Sequence, residues 1–486
     1  MGGDFMLIRC LKKRLSVVED DPSVYRKNLP ENCLDVADLR EVSYEKKVTL
    51  VGRIMLSDET GHISKFGVFD TLDEKKVIIL EKIKSGYDSI SAYLLRTSRN
   101  TETVNKKINY GDIVVLEGVK TRTDDGDIFL ADDISLVSKA VGEIYNKNID
   151  FSKNKNLYQH RHLQLLQDEE MLSRFRKCST VLRLIREFLY EKEYEEINTT
   201  LLQKSFKGGL CKPFLTRSED KDKDMFLRVT SEQQLQKLMI AGFSKVFQIG
   251  KSFRNQTATS SMLPQFTILE LYQAYAEREE MEKMVKNMIL EILDELYDSY
   301  SFPTSDGRMD CSGDWPVYDF REEVKKCTGL QYSEKSVAQL LSILDKMDIE
   351  RPKKVNKYTI AVEIYCSIMS KIKGPAFLRN LPAAQSPLYK LNDDGSTIDE
   401  TLLVIDGMLI ADIVNPERDP EVLKRRMEKQ LLYCDHNQKE SINKDIISAM
   451  KLGLPPSRGI GMGIERLLML LLNVKDIRGV DLFPVF

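Results

Sequence analysis

Between Lys47 and Val141 apolar and polar positions alternate in short runs: "KVTLVGRIML", "ISKFGVFDTL", "KKVIILEK", "GDIVVLEGVKTR" and "GDIFLADDISLVSKAV". A period of two predicts strands. Five short strands parted by turn signals suit a small barrel such as an OB-fold, and any other small barrel or sandwich stays open. The pattern then lapses into a polar, basic stretch that reads as a linker. Beyond it, "EEMLSRFRKCSTVLRLIREFLYEKEY" brings Leu172, Phe175, Val181, Leu184, Ile185 and Leu189 to helical spacing. Strands and helices mix from there to the last residue. The expected organisation is an N-terminal extension (1–40), the barrel (41–140), a linker (141–167) and one α+β domain (168–486) with an antiparallel sheet flanked by helices. Its segment 300–375 carries the weakest pattern. No internal repeat or low-complexity tract stands out.

Two stretches carry chemistry. In "VFQIGKSFRN" the alternation sends Phe247, Ile249 and Phe253 to a core face, and Gln248, Gly250, Ser252 and Arg254 to the other. In "QFTILELYQAY" it groups Phe266, Ile268, Glu270 and Tyr272. Paired antiparallel, the two strands gather an aromatic ring, a cation and a carboxylate on one face, which suits a zwitterionic or nucleotide ligand. The alternative is an ordinary hairpin with a surface arginine. Near the end, "SRGIGMGIERLLMLLL" repeats glycine at 459, 461 and 463. Glycines at that spacing strip one strand face of side chains, as close approach of a ligand requires. Arg466 then opens an apolar helix, where a cation opposes the dipole unless it faces an anion. A glycine bulge packed under a helix is the alternative.

Composition narrows the class. At 486 residues, 42% hydrophobic and 30% charged, the chain is that of a soluble globular protein of more than one domain. The longest apolar run, "ERLLMLLLNV", is too short to span a bilayer, and the first residues lack the order of a secretory signal. The 8 cysteines form no CxxC pair, and reduced thiols in a cytoplasmic protein are expected. His62, His160, His162 and His436 show no ligand spacing. A net charge of −3 supplies no general basic field, so nucleic acid needs local patches.

Together these stretches resemble the class II aminoacyl-tRNA synthetases, and within them the lysyl-tRNA synthetases. "FRN" with "PQFTILELYQAYA" is similar to that family's motif 2, and "GLPPSRGIGMGIERLLML" to its motif 3. "FKGGLCKPF", "GRIM" and "DLFP" resemble further family segments, in unbroken order from about residue 23 to 486. The resemblance implies an OB barrel ahead of the synthetase domain, a homodimer formed through the helix at about 168–200, and ATP-driven formation of an aminoacyl-adenylate that passes to tRNA. It implies that Arg254 holds the α-phosphate and the amino-acid carboxylate, and that Arg466 grips the γ-phosphate. Phe266 would stack on adenine, and Asn255, Gln256, Gly461 and Gly463 would complete the ATP site. Gly209 and Glu232 would meet the α-amine, Glu270, Tyr272 and Asp412 would line the amino-acid pocket, and Arg53 and Phe66 would face an anticodon.

The chain departs from the family in places. Gln256 stands for a glutamate, Met262 for a histidine near the triphosphate, and Ile78 for a base-reading glutamine. In "ETLLVIDGMLIADIVNPERD", Leu402 and Leu409 stand for the two Mg²⁺-binding glutamates, Asp412 for an asparagine, and Pro416 for the glutamate that pairs with the lysine ε-ammonium. A buried ammonium without a counter-charge costs several kcal/mol. Glu400, Asp406, Asp412 and Glu417 are the candidates to supply one after a small register shift. Three readings follow: a lysyl-type tRNA-charging ligase, a paralogue that activates another acid for a non-tRNA acceptor, and a non-catalytic binding protein on the same scaffold.

Overall fold

The structure, a computed structural model, describes residues 29–30, 32–55, 68–72, 75–85, 88–95, 108–109, 111–123, 126–141, 158, 160–204, 211–219, 223–430 and 444–485. The chain forms two compact units, Met1–Ser173 and Arg174–Phe486.

Among its described residues the first unit holds six strands: β1 (Lys47–Met55), β2 (Val68–Leu72), β3 (Lys75–Ser85), β4 (Asp88–Leu95), β5 (Ile113–Thr123) and β6 (Gly126–Ser138). They pair in the order β1-β5-β6-β4-β3-β2, and β1 also pairs with β3. That extra pairing closes a ring of β1, β5, β6, β4 and β3 and leaves β2 outside it. Leu50, Ile54, Val114, Leu116, Phe129 and Ala131 fill the interior. The alternation missed β4, although its Ile90, Ala92 and Leu94 are buried at a period of two. This strand makes the parallel contact with β6 that completes the ring. A buried ion pair anchors the start of β5: Lys139 Nζ lies 2.7 Å from Asp112 Oδ2, both without exposure. A short helix, α1 (Arg161–Gln167), follows.

The long helix α2 (Glu169–Glu191) fills the predicted stretch. Its buried stripe runs Met171, Phe175, Cys178, Val181, Ile185 and Phe188, and Leu172 and Leu184 sit on its flank. The second unit then adds β7 (Glu195–Glu196), a small sheet of β8 (Leu202–Gln203), β9 (Leu215–Ser218) and β10 (Lys223–Leu227), and α3 (Glu232–Ile240). The predicted hairpin follows as β11 (Lys245–Phe253) and β12 (Gln265–Ala274), and then α4 (Arg278–Tyr297) and the hairpin β13 (Ser301–Thr304) and β14 (Gly307–Asp310). Next come β15 (Val317–Asp319), α5 (Phe320–Thr328), α6 (Val337–Lys346), α7 (Lys357–Ser370), β16 (Pro375–Pro382), β17 (Thr397–Ile405) and β18 (Met408–Val414). The end is α8 (Pro420–Gln430), α9 (Lys444–Met450), β19 (Ser457–Gly463) and α10 (Ile464–Leu471).

An eight-stranded sheet in the order β15-β16-β17-β18-β19-β12-β11-β7 forms the frame. Only β15–β16 and β11–β7 are parallel pairs in it. The fold is therefore the mixed α+β architecture expected, with a mostly antiparallel sheet flanked by helices. Side chains directly opposite across antiparallel strands share a face, so the register fixes what meets. One row runs Gln248, Glu270, Gly461, Asp412 and Leu402, and the next runs Val246, Tyr272, Gly459, Val414 and Glu400. Two hydrophobic clusters lie on these rows. Near β16–β17, Leu378, Leu402 and Val404 join Ile360, Ile364 and Ile368 of α7. Near β12, Val246 and Tyr272 join Leu235 and Met239 of α3 and Ile446 of α9. Gly461 and Gly463 of β19 lie between them, where this face opens into a hollow.

Candidate active site

The hollow is a cavity of about 430 Å³. Arg254, Gln256, Phe266, Gly461, Gly463 and Arg466 line it, as do Glu232, Glu270, Tyr272, Glu400 and Asp412. Most of the residues singled out by alternation and by resemblance therefore come together. Asn255 does not: its side chain is exposed and outside the lining, and its backbone N–H donates to Lys212 O at 2.8 Å. Gly209 and Phe66 lie outside the described residues. In the first unit Arg53 is half-buried and donates from Nη1 to Gly111 O at 2.6 Å.

The cationic part of the wall is built at strand and helix ends. Arg254 follows β11, its backbone N–H bonded to Pro264 O at 2.8 Å, and its Cζ lies 5.0 Å from the centre of the Phe266 ring. Its Nε is buried and has no hydrogen-bond partner. Arg466 leaves the first turn of α10 and donates to Ser261 O at 3.3 Å and Leu409 O at 3.4 Å. Burial, and then the charge of Arg254, hold the Arg466 guanidinium below its ordinary pKa. Two guanidinium groups close enough to oppose each other's charge, one with an idle donor, form a seat for an oxyanion. Glu465 does not compete for them. Both its oxygens accept the Thr267 backbone N–H at 2.8 Å, and Lys251 Nζ lies 3.2 Å away.

The acidic part is built on the strands that flank the glycine strand and on α3. Both Glu270 oxygens are taken, by Thr230 Oγ1 at 2.6 Å and Ser231 Oγ at 2.7 Å. Tyr272 Oη donates to Glu232 Oε1 at 2.8 Å and accepts from Gln236 Nε2 at 3.0 Å. Burial, and then the charge of Glu270, push the Glu232 carboxyl up to about 8. The same two causes raise Asp412 to about 6. Burial, and then Asp412 and Glu232, raise Glu400 well above the usual carboxylate range. Beneath, the buried Arg228 steadies β11 by donating to Lys251 O at 2.8 Å and to Gln248 Oε1 at 3.1 Å.

The glycines have a job inside the protein as well. A Cβ at Gly459 would come within 2.5 Å of the Tyr272 ring, and one at Gly461 would collide with Asp412 Oδ1. At Gly463 the nearest atom is a carbon of Arg466 at 3.8 Å, ordinary contact distance. Only Gly463 leaves free space toward the arginines.

A two-glutamate magnesium site, which the resemblance implies beside ATP, does not fit the residues present. Mg²⁺ takes oxygen donors. A bulge between Leu403 and Val404 keeps Leu402 and Leu409 on the cavity side of the hairpin, but both offer hydrocarbon. Leu402 is fully buried in the α7 cluster, and Leu409 packs on it. Of the neighbours considered as substitutes, Glu400 and Asp412 reach the cavity. Asp406 is exposed at the hairpin turn, 3.5 Å from Lys373, and Glu417 caps its own loop near Arg426.

Sequence reading missed Tyr358 and Tyr389, which also line the cavity. Tyr358 comes from α7, inside the segment with the weakest pattern, and Tyr389 from a loop without periodicity. Glu400 had a signal: it interrupts an otherwise apolar row of Ile398, Leu402 and Val404, all fully buried.

Comparison with known proteins gives the family. Residues 153–486 match the family model for class II tRNA synthetases (D, K and N). Over 447 residues the chain is 30% identical to a lysine–tRNA ligase of Fervidobacterium nodosum, covering 91% of this chain and 84% of that protein. It is 29% identical to the lysine–tRNA ligase of Thermosipho africanus, over 92% of this chain and 87% of that one. For the lysine–tRNA ligase of Dehalococcoides mccartyi the identity is 30%, over 90% and 86%.

Proposed function

This chain belongs to the class II tRNA synthetases of the D, K and N group, and we propose that it activates an amino acid, lysine or a close relative, with ATP and transfers it to tRNA. The observation that carries the reading is the union of Arg254 and Arg466 in one cavity with a floor of glycine strand and an acidic far wall. In this reading the amino acid's carboxylate oxygen attacks the α-phosphorus of ATP. The bond to pyrophosphate breaks, and an aminoacyl-adenylate forms. A tRNA 3′-terminal hydroxyl then attacks the acyl carbon and AMP leaves.

The residues act mainly by position and charge, as suits a step in which negative charge builds on phosphate oxygens. Arg254 bridges the carboxylate and the α-phosphate, and its idle Nε supports that role. Arg466 takes the terminal phosphates, Phe266 and Gln256 meet the adenine, and Gly463 lets the nucleotide approach the strand. Glu232 and Tyr272, already bonded to each other, receive the α-ammonium, with Glu270 and Asp412 behind them. Members of this class use ATP and Mg²⁺, but no step here is assigned to the metal. The reading includes a cytoplasmic homodimer and a tRNA held partly by the first unit through Arg53 and Phe66. Among the described residues no helix is long and apolar enough to cross a membrane.

Amino-acid-dependent ATP–pyrophosphate exchange, run across the common amino acids with and without tRNA, tests it. Exchange with lysine, followed by tRNA charging, is the expected result. Exchange with another acid and no charging moves the assignment to a paralogue with a different acceptor. Silence with every acid, despite nucleotide binding, rejects the activity.

A further inference from the structure

We propose that Arg426 is a positioning residue for the amino-acid substrate: from behind the cavity wall its guanidinium grips the carbonyls of Ser386 and Tyr389, and so holds the run 385–389 in the shape of the pocket. The inference rests on the activation reading above, and adds to it a residue that touches no substrate.

Gln385, Ser386, Pro387, Leu388 and Tyr389 all line the cavity. They lie between the end of β16 at Pro382 and the start of β17 at Thr397, outside both strands. Their place depends instead on a few separate bonds. On the upstream side the Ala384 N–H donates to Glu334 Oε1 at 3.0 Å. On the downstream side the Glu417 N–H donates to Leu388 O at 2.7 Å, and the Lys390 N–H to Asn415 O at 2.8 Å. Arg426 of α8 joins the middle: its Nη2 donates to Ser386 O at 2.7 Å and its Nη1 to Tyr389 O. The Arg426 side chain is 12% exposed and stands outside the cavity lining, with Glu417 Oε2 4.0 Å from Nη1. Burial holds its guanidinium below its ordinary pKa. A guanidinium carries donors on a rigid fork, which suits two carbonyls three residues apart better than the single nitrogen of a lysine. Left without it, both buried carbonyls would lose a partner, and the loop would lose its central anchor.

The loop meets the part of the cavity read above as the amino-acid pocket. Tyr389 packs on the hydrophobic clusters of both β17 and β12. Burial, and then the charges of Glu232, Asp412 and Glu400, raise its hydroxyl well above the usual range. Gln385 also lines the cavity, and its Oε1 is buried with no hydrogen-bond partner. The groups assigned to ATP stand on other elements. Arg254 follows β11, with its N–H on Pro264 O, and Arg466 on α10 donates to Ser261 O and Leu409 O. A loop released from Arg426 is therefore read in amino-acid affinity and not in ATP affinity. Small displacements of a positioning wall are enough for a large loss.

Calorimetric titration of amino acid and of ATP into the intact wild type, R426A and R426K tests the proposal. The common amino acids are screened on the wild type, and the one bound most tightly is carried forward. R426A is expected to weaken that amino acid by at least about tenfold, the scale of a charged hydrogen bond, and to leave ATP affinity within about twofold. R426K keeps the charge but brings one nitrogen to two carbonyls. It should weaken the amino acid severalfold, again without effect on ATP, and it decides the matter if R426A does not fold. Wild-type amino-acid affinity in the folded variants overturns the proposal whatever the melting temperature does, because a purely structural role lowers stability alone. An equal loss of amino-acid and ATP affinity overturns it as well. Pyrophosphate exchange separates the two levels. Amino-acid binding that depends on Arg426, with no exchange in the wild type, removes the activation reading alone. Wild-type exchange whose amino-acid KM is unchanged in R426A removes the Arg426 assignment alone. A wild type that binds no amino acid removes both.

Discussion

Tyr272 joins three elements through one side chain: its hydroxyl donates to Glu232 on α3 at 2.8 Å, and its ring covers Gly459 on β19 from its own place on β12. A methyl group at Gly459 would press within 2.5 Å of that ring, where overpacking costs on the order of 1–3 kcal/mol. Gly459→Ala is therefore expected to lower the melting temperature and to weaken amino-acid binding together, measured by thermal denaturation and calorimetry.

Gly463 is the contrast. An added Cβ there meets only Arg466, at 3.8 Å. Gly463→Ala should leave stability within about 0.5 kcal/mol of the wild type, yet weaken ATP binding, because the methyl group would stand where the nucleotide approaches. Wild-type ATP affinity in this variant would remove Gly463 from the site.

The buried acids predict a pH dependence with a definite sign. Glu232 sits in the folded protein with a pKa raised from 4.5 to about 8, among Glu270, Asp412 and Tyr272. Between those values the folded state holds a proton that the unfolded chain has lost, so stability falls as pH rises through the window. Urea denaturation of the protein without substrate should show that decline, and Glu232→Gln should flatten it. Because an ammonium ligand favours the ionised acids, the stabilisation by lysine should grow over the same window.

Leu402→Glu tests the metal argument. In the α7 cluster a carboxylate would be buried among isoleucines, at a cost of several kcal/mol. The variant is expected to melt well below the wild type without gaining Mg²⁺ affinity. A stable variant that binds Mg²⁺ more tightly would show that this position still faces a metal site.

Much of this was legible in the sequence because strands report their faces. The alternation in β11 and β12 placed Arg254, Phe266, Glu270 and Tyr272 on one side, and the register pairs Ser252 with Phe266 and Gln248 with Glu270. Ile249 and Phe253, read as core, are only half-buried. The glycine repeat marked β19, but a repeat of small residues does not say what fills the space. Two of its three gaps hold Tyr272 and Asp412. The cover of the site was not legible, because α5, α6 and α7 take their positions from packing on β16 and β17, and a loop residue such as Tyr389 carries no period. In the first unit β4 escaped because its short alternation follows β3 after only two residues and reads on from it without a break.

The claim that two guanidinium groups make this cavity a nucleotide site is tested most directly by titrating ATP into the wild type, Arg254→Ala and Arg466→Ala. Loss of each should weaken ATP binding by about tenfold or more, the scale of a charged hydrogen bond, and Arg254→Ala should also cut any pyrophosphate exchange by about 100-fold or more. ATP affinity equal to the wild type's in both variants would contradict it.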